Sequence, residues 1–256
     1  MTRRFFLLAL FIALTATASE SRKPTLFLIG DSTVKNSTRG FEGWGSRLAA
    51  WFDPDKVTVE NRALGGRSSR SYLREGLWEK VLADVQRGDF VLIQFGHNDN
   101  GPMDTGKARA SIKGSGDETR EVTIQETGAT ETVRTYGGYI RRYVQDAKAK
   151  GATPIVCSLV PRNIWKDGKV TRATNDFAKW AKEIAQSEGV AFLDLNELIA
   201  SGYEQAGEEK VRSEFFTTVD HTHTSPAGAK FSAAAVAQGL RGLDHPLANF
   251  LADPQP

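Results

Sequence analysis

The sequence contains few of the residues on which small cross-linked or fibrous proteins depend. Among its 256 residues there is one cysteine, Cys157, so an intramolecular disulfide and a cysteine-based zinc site are excluded. Nine prolines, 40% hydrophobic and 25% charged residues exclude a disordered or collagen-like chain. This length suits one α/β domain with a sizeable core. Because Cys157 lies in the apolar segment 153–158, it is predicted to be a buried strand residue rather than a nucleophile.

The sequence has no large excess of positive or negative charge. The chain has 33 basic and 31 acidic residues, and without Arg3 and Arg4 the two counts are equal. No block of like charge is left outside the amino-terminal segment. The sequence therefore predicts neither a nucleic acid nor a membrane surface as a partner.

The first residues have the pattern of a signal peptide. Arg3 and Arg4 precede an apolar run at 5–14, and Ala16-Thr17-Ala18 supplies small residues for cleavage after Ala18. The run is shorter than the ~20 residues that a membrane span needs, so an anchor is not predicted. We expect residues 1–18 to be removed from an exported protein, periplasmic or extracellular, by the general secretory or the twin-arginine route. Residues 19–256 are expected to form a single domain.

Apolar segments alternate with helical patterns along this domain. Short apolar or β-branched runs predict strands at 25–29, 57–60, 90–95, 154–157 and 190–193. Helical periodicity with start and stop residues predicts helices at 45–52, 139–150, 174–187 and 226–240. Strands that are apolar throughout, separated by amphipathic helices, indicate a parallel sheet covered on both faces.

One segment interrupts this alternation. Residues 100–135 are polar and rich in Gly and Thr, and within them 121–124 and 131–134 alternate as the strands of a hairpin do. Long insertions in compact domains are usually functional, and this one follows a predicted strand end directly. We expect a loop or hairpin that forms a lid or a substrate rim near the active site.

Polar motifs follow three of the predicted strands. Gly30-Asp31-Ser32 follows the first strand and can present its serine to a cleft, with the backbone N–H free as an anion donor. Gly65 and Gly66 follow the second strand, where glycines let backbone N–H groups approach a ligand. Asn98 follows the third strand and offers an amide donor. Each motif taken alone is equally typical of an ordinary turn.

Asp220 and His223 form the fourth motif, near the carboxyl end of the chain. Their three-residue spacing lets a turn bring both side chains to one side, so that the carboxylate can orient the imidazole toward a nucleophile. His221 cannot easily take this role, because adjacent side chains diverge. The alternative is a metal site of Asp220, His221 and His223, with or without His97 and Asp99, although no typical metal-ligand spacing supports it.

The order of these four motifs resembles that of the SGNH/GDSL hydrolases, a family named for its Ser, Gly, Asn and His residues. The resemblance covers essentially all of the chain after the signal peptide. Several segments are similar to those of the rhamnogalacturonan acetylesterase branch of the family, namely 29–34, 66–72, 96–99, 135–137, 160–162 and 220–223.

The resemblance implies a three-layer α/β/α sandwich with a five-stranded parallel sheet, the flavodoxin-like arrangement. It implies ester hydrolysis through an acyl-serine, with Ser32 as nucleophile, His223 as base and Asp220 as the residue that orients His223. The oxyanion donors would be the N–H groups of Ser32 and Gly66 and the amide of Asn98. No metal and no organic cofactor is implied.

The resemblance and the local charges together predict an acidic polysaccharide as substrate. Arg67, Arg70 and Arg162 lie beside the expected sheet edge, where their guanidinium groups would either hold loops through carboxylates or meet galacturonate units. Trp44 and Trp165 are candidates for stacking on a sugar. For Trp44, packing in the core is an equally good interpretation.

We therefore expect an exported carbohydrate esterase that removes acetyl groups from rhamnogalacturonan, a pectic polysaccharide, and that acts as a monomer. One alternative is a lipase or general acylesterase of the same fold, which would favour a broad apolar groove. Another is a non-catalytic sugar-binding module.

Overall fold

The computed structural model describes residues 22–252, which are arranged around a parallel β-sheet. The signal peptide predicted at 1–18 lies outside the described residues. The strands in chain order are β1 (Thr25–Gly30), β2 (Thr58–Asn61), β3 (Phe90–Gln94), β4 (Thr119–Thr123), β5 (Thr130–Arg134), β6 (Thr153–Cys157), β7 (Trp165–Lys166), β8 (Lys169–Val170), β9 (Ala191–Leu193), β10 (Phe216–Thr217) and β11 (Asp220–Thr224). The α-helices are α1 (Ser69–Arg74), α2 (Leu77–Asp84), α3 (Tyr136–Ala149), α4 (Phe177–Ser187), α5 (Leu195–Ala206), α6 (Glu208–Lys210) and α7 (Pro226–Arg241).

Five of these strands form the central sheet, in the order β2-β1-β3-β6-β9, and every neighbouring pair is parallel. The remaining strands form three antiparallel pairs, β4–β5, β7–β8 and β10–β11. The predicted five-stranded parallel sheet is therefore confirmed.

Side chains of the central strands alternate between two apolar cores. Leu26 and Leu28 of β1 belong to the core on one face, and Phe27 and Ile29 belong to the core on the other. Helices α5 and α7 cover the first face, and helices α1 to α4 cover the second. Because both faces are covered, the inner strands β1, β3 and β6 are buried and largely apolar along their length, as the sequence predicts, whereas the edge strand β2 is half-buried and carries Glu60 and Asn61. Cys157 is fully buried on β6, as predicted.

The helix predicted at 45–52 is wrong in type, because the chain forms two short 3₁₀ helices there, Trp44–Ser46 and Leu48–Trp51. The backbone N–H groups of Trp44 and Gly45 donate to the carbonyls of Thr33 and Val34. A Cβ on Gly45 would meet the Val34 carbonyl oxygen at 2.8 Å. Contact with the turn after β1 thus shapes this segment together with its i to i+3 hydrogen bonds.

The insertion at 100–135 contains the predicted hairpin, formed by β4 and β5, after an irregular stretch that follows β3. Helix α3 begins directly after the hairpin. Its amino-terminal cap is Thr135, whose hydroxyl accepts the Gly138 N–H at 2.8 Å. None of the helices within residues 22–252 is long and apolar enough to cross a membrane.

Asp99 links the end of β3 to the start of α1. Its carboxylate accepts hydrogen bonds from the Ser69 N–H at 3.2 Å, from the Ser69 hydroxyl and from the Ser111 hydroxyl at 3.2 Å. The side chain is completely buried. Burial raises the pKa of Asp99 to about 6, although the hydrogen bonds from Ser69 and Ser111 favour the carboxylate.

A raised pKa means that the folded state holds this proton more tightly than the unfolded chain. The contribution of Asp99 to stability is therefore present at pH 4 and is lost as the pH rises through about 6. We expect Asp99→Asn to remove this dependence, so that the free energy of unfolding falls less between pH 4 and pH 7 than in the wild type, by up to about 3 kcal/mol. Urea unfolding at several pH values measures it. Asp55→Asn, at an exposed position, is the control, and identical pH slopes for Asp99→Asn and wild type would contradict the prediction.

Candidate active site

Ser32 lies in the turn directly after β1, above a chain of buried hydrogen bonds. Asp31 Oδ1 accepts the Thr33 N–H at 2.8 Å and the Thr33 hydroxyl at 2.7 Å. Gln94 Nε2 donates to the Thr33 hydroxyl at 3.0 Å, and the Trp44 indole N–H donates to Gln94 Oε1 at 2.8 Å. This network fixes the turn that presents the serine. Trp44 is buried within it, so of its two readings the structure supports core packing.

Three of the predicted residues form a hydrogen-bonded series. Ser32 Oγ lies 2.8 Å from His223 Nε2, and His223 Nδ1 lies 2.7 Å from Asp220 Oδ2. The other carboxylate oxygen of Asp220 accepts the backbone N–H groups of Thr222 at 2.6 Å and His223 at 2.9 Å. The side chains meet as the three-residue spacing predicted. The backbone is the short strand β11 of a hairpin, however, and not an isolated turn.

The environment of Asp220 favours its ionised form. Burial opposes ionisation, but the hydrogen bonds from the His223 ring and from the backbone N–H groups of His223 and Thr222 outweigh it. The pKa of Asp220 consequently lies below its ordinary value. An ionised carboxylate here can hold the Nδ1–H tautomer of His223 and stabilise the imidazolium that forms when His223 accepts a proton.

The other histidines of the considered metal site take separate positions. His221 is exposed, and its Nδ1 lies 3.0 Å from the Thr222 hydroxyl. His97 lies after β3 with both ring nitrogens buried, and burial lowers its pKa. Within residues 22–252, no three His, Cys, Asp or Glu side chains are grouped so as to hold a metal ion.

The two predicted oxyanion residues beyond the serine lie beside it. Gly66 has a φ of +80°, in the left-handed region that favours glycine, and a Cβ on its neighbour Gly65 would lie 3.5 Å from the Ser32 Cβ. Asn98 Nδ2 donates to the Arg67 carbonyl at 2.9 Å. This bond orients the Asn98 amide and leaves its second N–H available for another acceptor.

These groups open into one cavity of about 570 Å³. Its other lining side chains are mostly polar, with hydroxyl and amide groups from Asn36, Ser37 and Thr38 and apolar surface from Phe41 and Leu64. The Phe41 ring packs edge-on against His223, with 5.6 Å between ring centroids. The charged residues that line it are Arg67, Lys107, Arg109 and Asp220. The cavity thus presents hydroxyl, amide and cationic groups as well as apolar surface beside the serine.

The structure contradicts a substrate-binding role for Arg70. This side chain is 1% exposed, because its guanidinium group donates to the carbonyls of Met103 at 2.9 Å and Ala110 at 2.8 Å and forms an ion pair with Glu131. Arg70 therefore holds the insertion against α1, which is the first of the two roles considered for it. It cannot reach a substrate.

The remaining predicted binding residues are separated. Arg67 lines the catalytic cavity and pairs with Glu75 at 2.9 Å. Arg162 lines a neighbouring cavity of about 280 Å³ and donates to the Thr222 hydroxyl at 2.8 Å. Trp165 lines neither cavity, since it packs partly buried against the first core and its indole N–H donates to Asn163 Oδ1 at 2.7 Å.

Two cavity-lining cations, Lys107 and Arg109, were not predicted individually. They belong to the 100–135 segment, for which the sequence indicated only a position near the active site. Arg109 Nη1 donates to the Gly66 carbonyl at 2.6 Å. No periodicity or motif marks these positions, so only the fold of the insertion reveals them.

Comparison with known proteins identifies the family of the chain. The family model described as GDSL-like Lipase/Acylhydrolase matches residues 28–231. The rhamnogalacturonan acetylesterase of Emericella nidulans is 39% identical over 82% of this chain and 82% of that protein. A probable rhamnogalacturonan acetylesterase of Bacillus subtilis, YesY, is 31% identical over 87% of this chain and 94% of that protein.

Solved structures are similar in fold. The Bacillus subtilis protein YxiM superposes with a TM-score of 0.69 at 24% identity, over 86% of this chain, which spans about half (56%) of that longer chain. An acetyl xylan esterase, AlAXEase, superposes with a TM-score of 0.53 at 14% identity, over 84% of this chain and 98% of that one. With the family model covering most of the described residues, the chain belongs to the GDSL-like lipase/acylhydrolase family and is a serine ester hydrolase.

Proposed function

We propose that the protein is an exported rhamnogalacturonan acetylesterase that acts through an acyl-serine intermediate. The observation that carries the proposal is the Ser32–His223–Asp220 series, which opens into a cavity lined by hydroxyl and amide groups and by three cationic side chains. The names of the two relatives above, which match over most of their lengths, support the choice of substrate. The signal peptide expected at 1–18 is part of the proposal, because a polysaccharide substrate lies outside the cell.

The first half of the reaction transfers the acetyl group to the protein. Ser32 Oγ attacks the acetyl carbonyl while His223 Nε2 accepts the hydroxyl proton, and Asp220 stabilises the resulting imidazolium. The tetrahedral intermediate collapses when the sugar oxygen leaves with the proton from His223. This leaves an acetyl ester on Ser32.

The second half returns the serine. A water molecule loses a proton to His223 and attacks the acetyl-serine carbonyl, and the proton then returns to Ser32 as acetate leaves. In both halves the developing oxyanion is held by the N–H groups of Ser32 and Gly66 and by the free N–H of Asn98. Asn98 needs no reorganisation for this role, because the Arg67 carbonyl already orients its amide.

The cavity lining favours a sugar ester over a lipid. Hydroxyl and amide side chains can bind sugar hydroxyls, whereas the apolar surface of Phe41 and Leu64 is enough for an acetyl methyl group or one sugar face. Arg162 is proposed as a more distant contact for an acidic unit. Its guanidinium group has no carboxylate partner within residues 22–252 and faces the neighbouring cavity.

His223→Ala should lower kcat by about 10⁴-fold or more, and Ser32→Ala should have a comparable effect, because the two residues act as one unit. His221→Ala is the matched control and should retain nearly wild-type activity, since its ring faces Thr222 and not the serine. Hydrolysis of a small acetyl ester measures both, and EDTA should not inhibit it. Similar losses in the two histidine variants, or inhibition by EDTA that zinc reverses, would contradict the assignment.

Asn98→Ala should lower kcat by about 10²–10³-fold with a smaller change in KM, as expected when one oxyanion donor is removed. Steady-state kinetics on a small acetyl ester test this, with Asn100→Ala as the control at an exposed position two residues further along the chain. A kcat close to that of the wild type would remove Asn98 from the oxyanion site.

Acetate release should be faster from acetylated rhamnogalacturonan than from acetylated xylan, whose backbone is neutral, and a long-chain ester should be a poor substrate. Raised salt should slow turnover of the acidic polymer more than that of a small neutral acetyl ester, because exposed ionic contacts are screened. Enzymatic quantification of acetate measures all of these. Equal rates and equal salt dependence on both polymers would indicate a general acetylesterase instead.

A further inference from the structure

The insertion contributes two cations to the wall of the catalytic cavity. Lys107 and Arg109 line it together with Ser32 and His223. Lys107 is exposed, and Arg109 is partly buried with one hydrogen bond, from its Nη1 to the Gly66 carbonyl at 2.6 Å. The insertion thus reaches the glycine that is proposed to bind the oxyanion.

These two cations are not neutralised as the other charged residues of the cavity are. Arg67 pairs with Glu75 at 2.9 Å, and Asp220 is bound to His223 at 2.7 Å. Within residues 22–252, neither Lys107 nor Arg109 has a carboxylate oxygen within ion-pair distance. A guanidinium group has five N–H donors, so the single bond to Gly66 leaves most of the donors of Arg109 for a ligand.

The backbone that carries these cations is held by α1 and its amino-terminal cap. Arg74 donates to the carbonyl of residue 108 at 2.8 Å, the Ser68 hydroxyl donates to that of residue 109 at 2.5 Å, and Arg70 donates to that of residue 110 at 2.8 Å. Three consecutive carbonyls are therefore bound. Arg109 is presented from a held segment and not from a free loop.

We propose that Lys107 and Arg109 form a subsite for a uronate carboxylate of the polysaccharide while its acetyl ester lies at Ser32. The planar guanidinium group of Arg109 matches a carboxylate in geometry, and the ammonium group of Lys107 supplies a second charge at the exposed side. The inference rests on the proposed function, since it names the residues that recognise the acid group of that substrate.

The two residues differ in what they do for the reaction. Lys107 lines the cavity, and its side chain has no hydrogen bond or ion pair within residues 22–252, so it contributes to binding of the carboxylate. Arg109 also holds Gly66, so it is in addition a positioning residue for the oxyanion site. Loss of Lys107 should therefore act mainly on KM, and loss of Arg109 should act on both KM and kcat.

The test uses one acetylated rhamnogalacturonan oligosaccharide in two forms, with free carboxylates and with the carboxylates converted to methyl esters. We expect the wild type to have the higher kcat/KM on the free acid. Lys107→Met and Arg109→Gln should each lower the ratio of the two kcat/KM values by about tenfold, the loss typical of a hydrogen bond to a charged group. Arg120→Gln, on the exposed face of β4, is the control and should retain the wild-type ratio.

Several outcomes would overturn the subsite. If the wild type does not prefer the free acid, or if both variants lose activity equally on the two forms, the inference is wrong while the acetylesterase proposal stands, because acetate is still released. If no acetate is released from either form, both proposals are wrong. Circular dichroism checks folding, and should Arg109→Gln fail to fold, Lys107→Met and the charge-retaining Arg109→Lys decide the question. Arg109→Lys should retain more of the acid preference than Lys107→Met.

Discussion

The parallel pairing of β1 with both of its neighbours is the constraint on which the site depends. Parallel strands end at the same edge of a sheet, and the order β2-β1-β3 places the ends of these three strands side by side. The segments that follow them carry Ser32, Gly66 and Asn98. Backbone hydrogen bonding thus brings residues that are far apart in sequence to one cavity. The hairpin strand β11 then places His223 beside the serine.

A second constraint joins the insertion to that edge. Ser68, Arg70 and Arg74 belong to the cap and first turns of α1, directly after Gly66, and they bind consecutive carbonyls of the insertion. Arg109 of the insertion in turn donates a hydrogen bond to the Gly66 carbonyl. The segment from Gly66 to Arg74 and the insertion therefore stabilise one another. This segment consequently shapes both the oxyanion site and the cavity wall.

The sequence predicted those parts whose signal is local. The inner strands of the sheet were found because burial on both faces makes them largely apolar. The pairing of Asp220 with His223 followed from their spacing. Helices α1, α2 and α5 were not predicted, although Ser68 and Asp194 cap α1 and α5 through side-chain hydrogen bonds. Helices α1 and α2 are only six and eight residues long, and α5 begins two residues after β9, so that the apolar residues of strand and helix run together. Two roles for Arg70 were left open, and the sequence could not decide between them, because the burial of this side chain depends on carbonyls of an insertion more than thirty residues away.

The charge of the site could not be predicted from the sequence either. Nearly equal numbers of acidic and basic residues indicate nothing about where the charges are neutralised. Here Glu131 of the insertion pairs with Arg70 and Arg74 of α1. Lys107 and Arg109, two cations that have no carboxylate partner within residues 22–252, line the cavity. A chain with balanced charge can therefore present a cationic cavity, because packing of the insertion, and not composition, decides which ion pairs form.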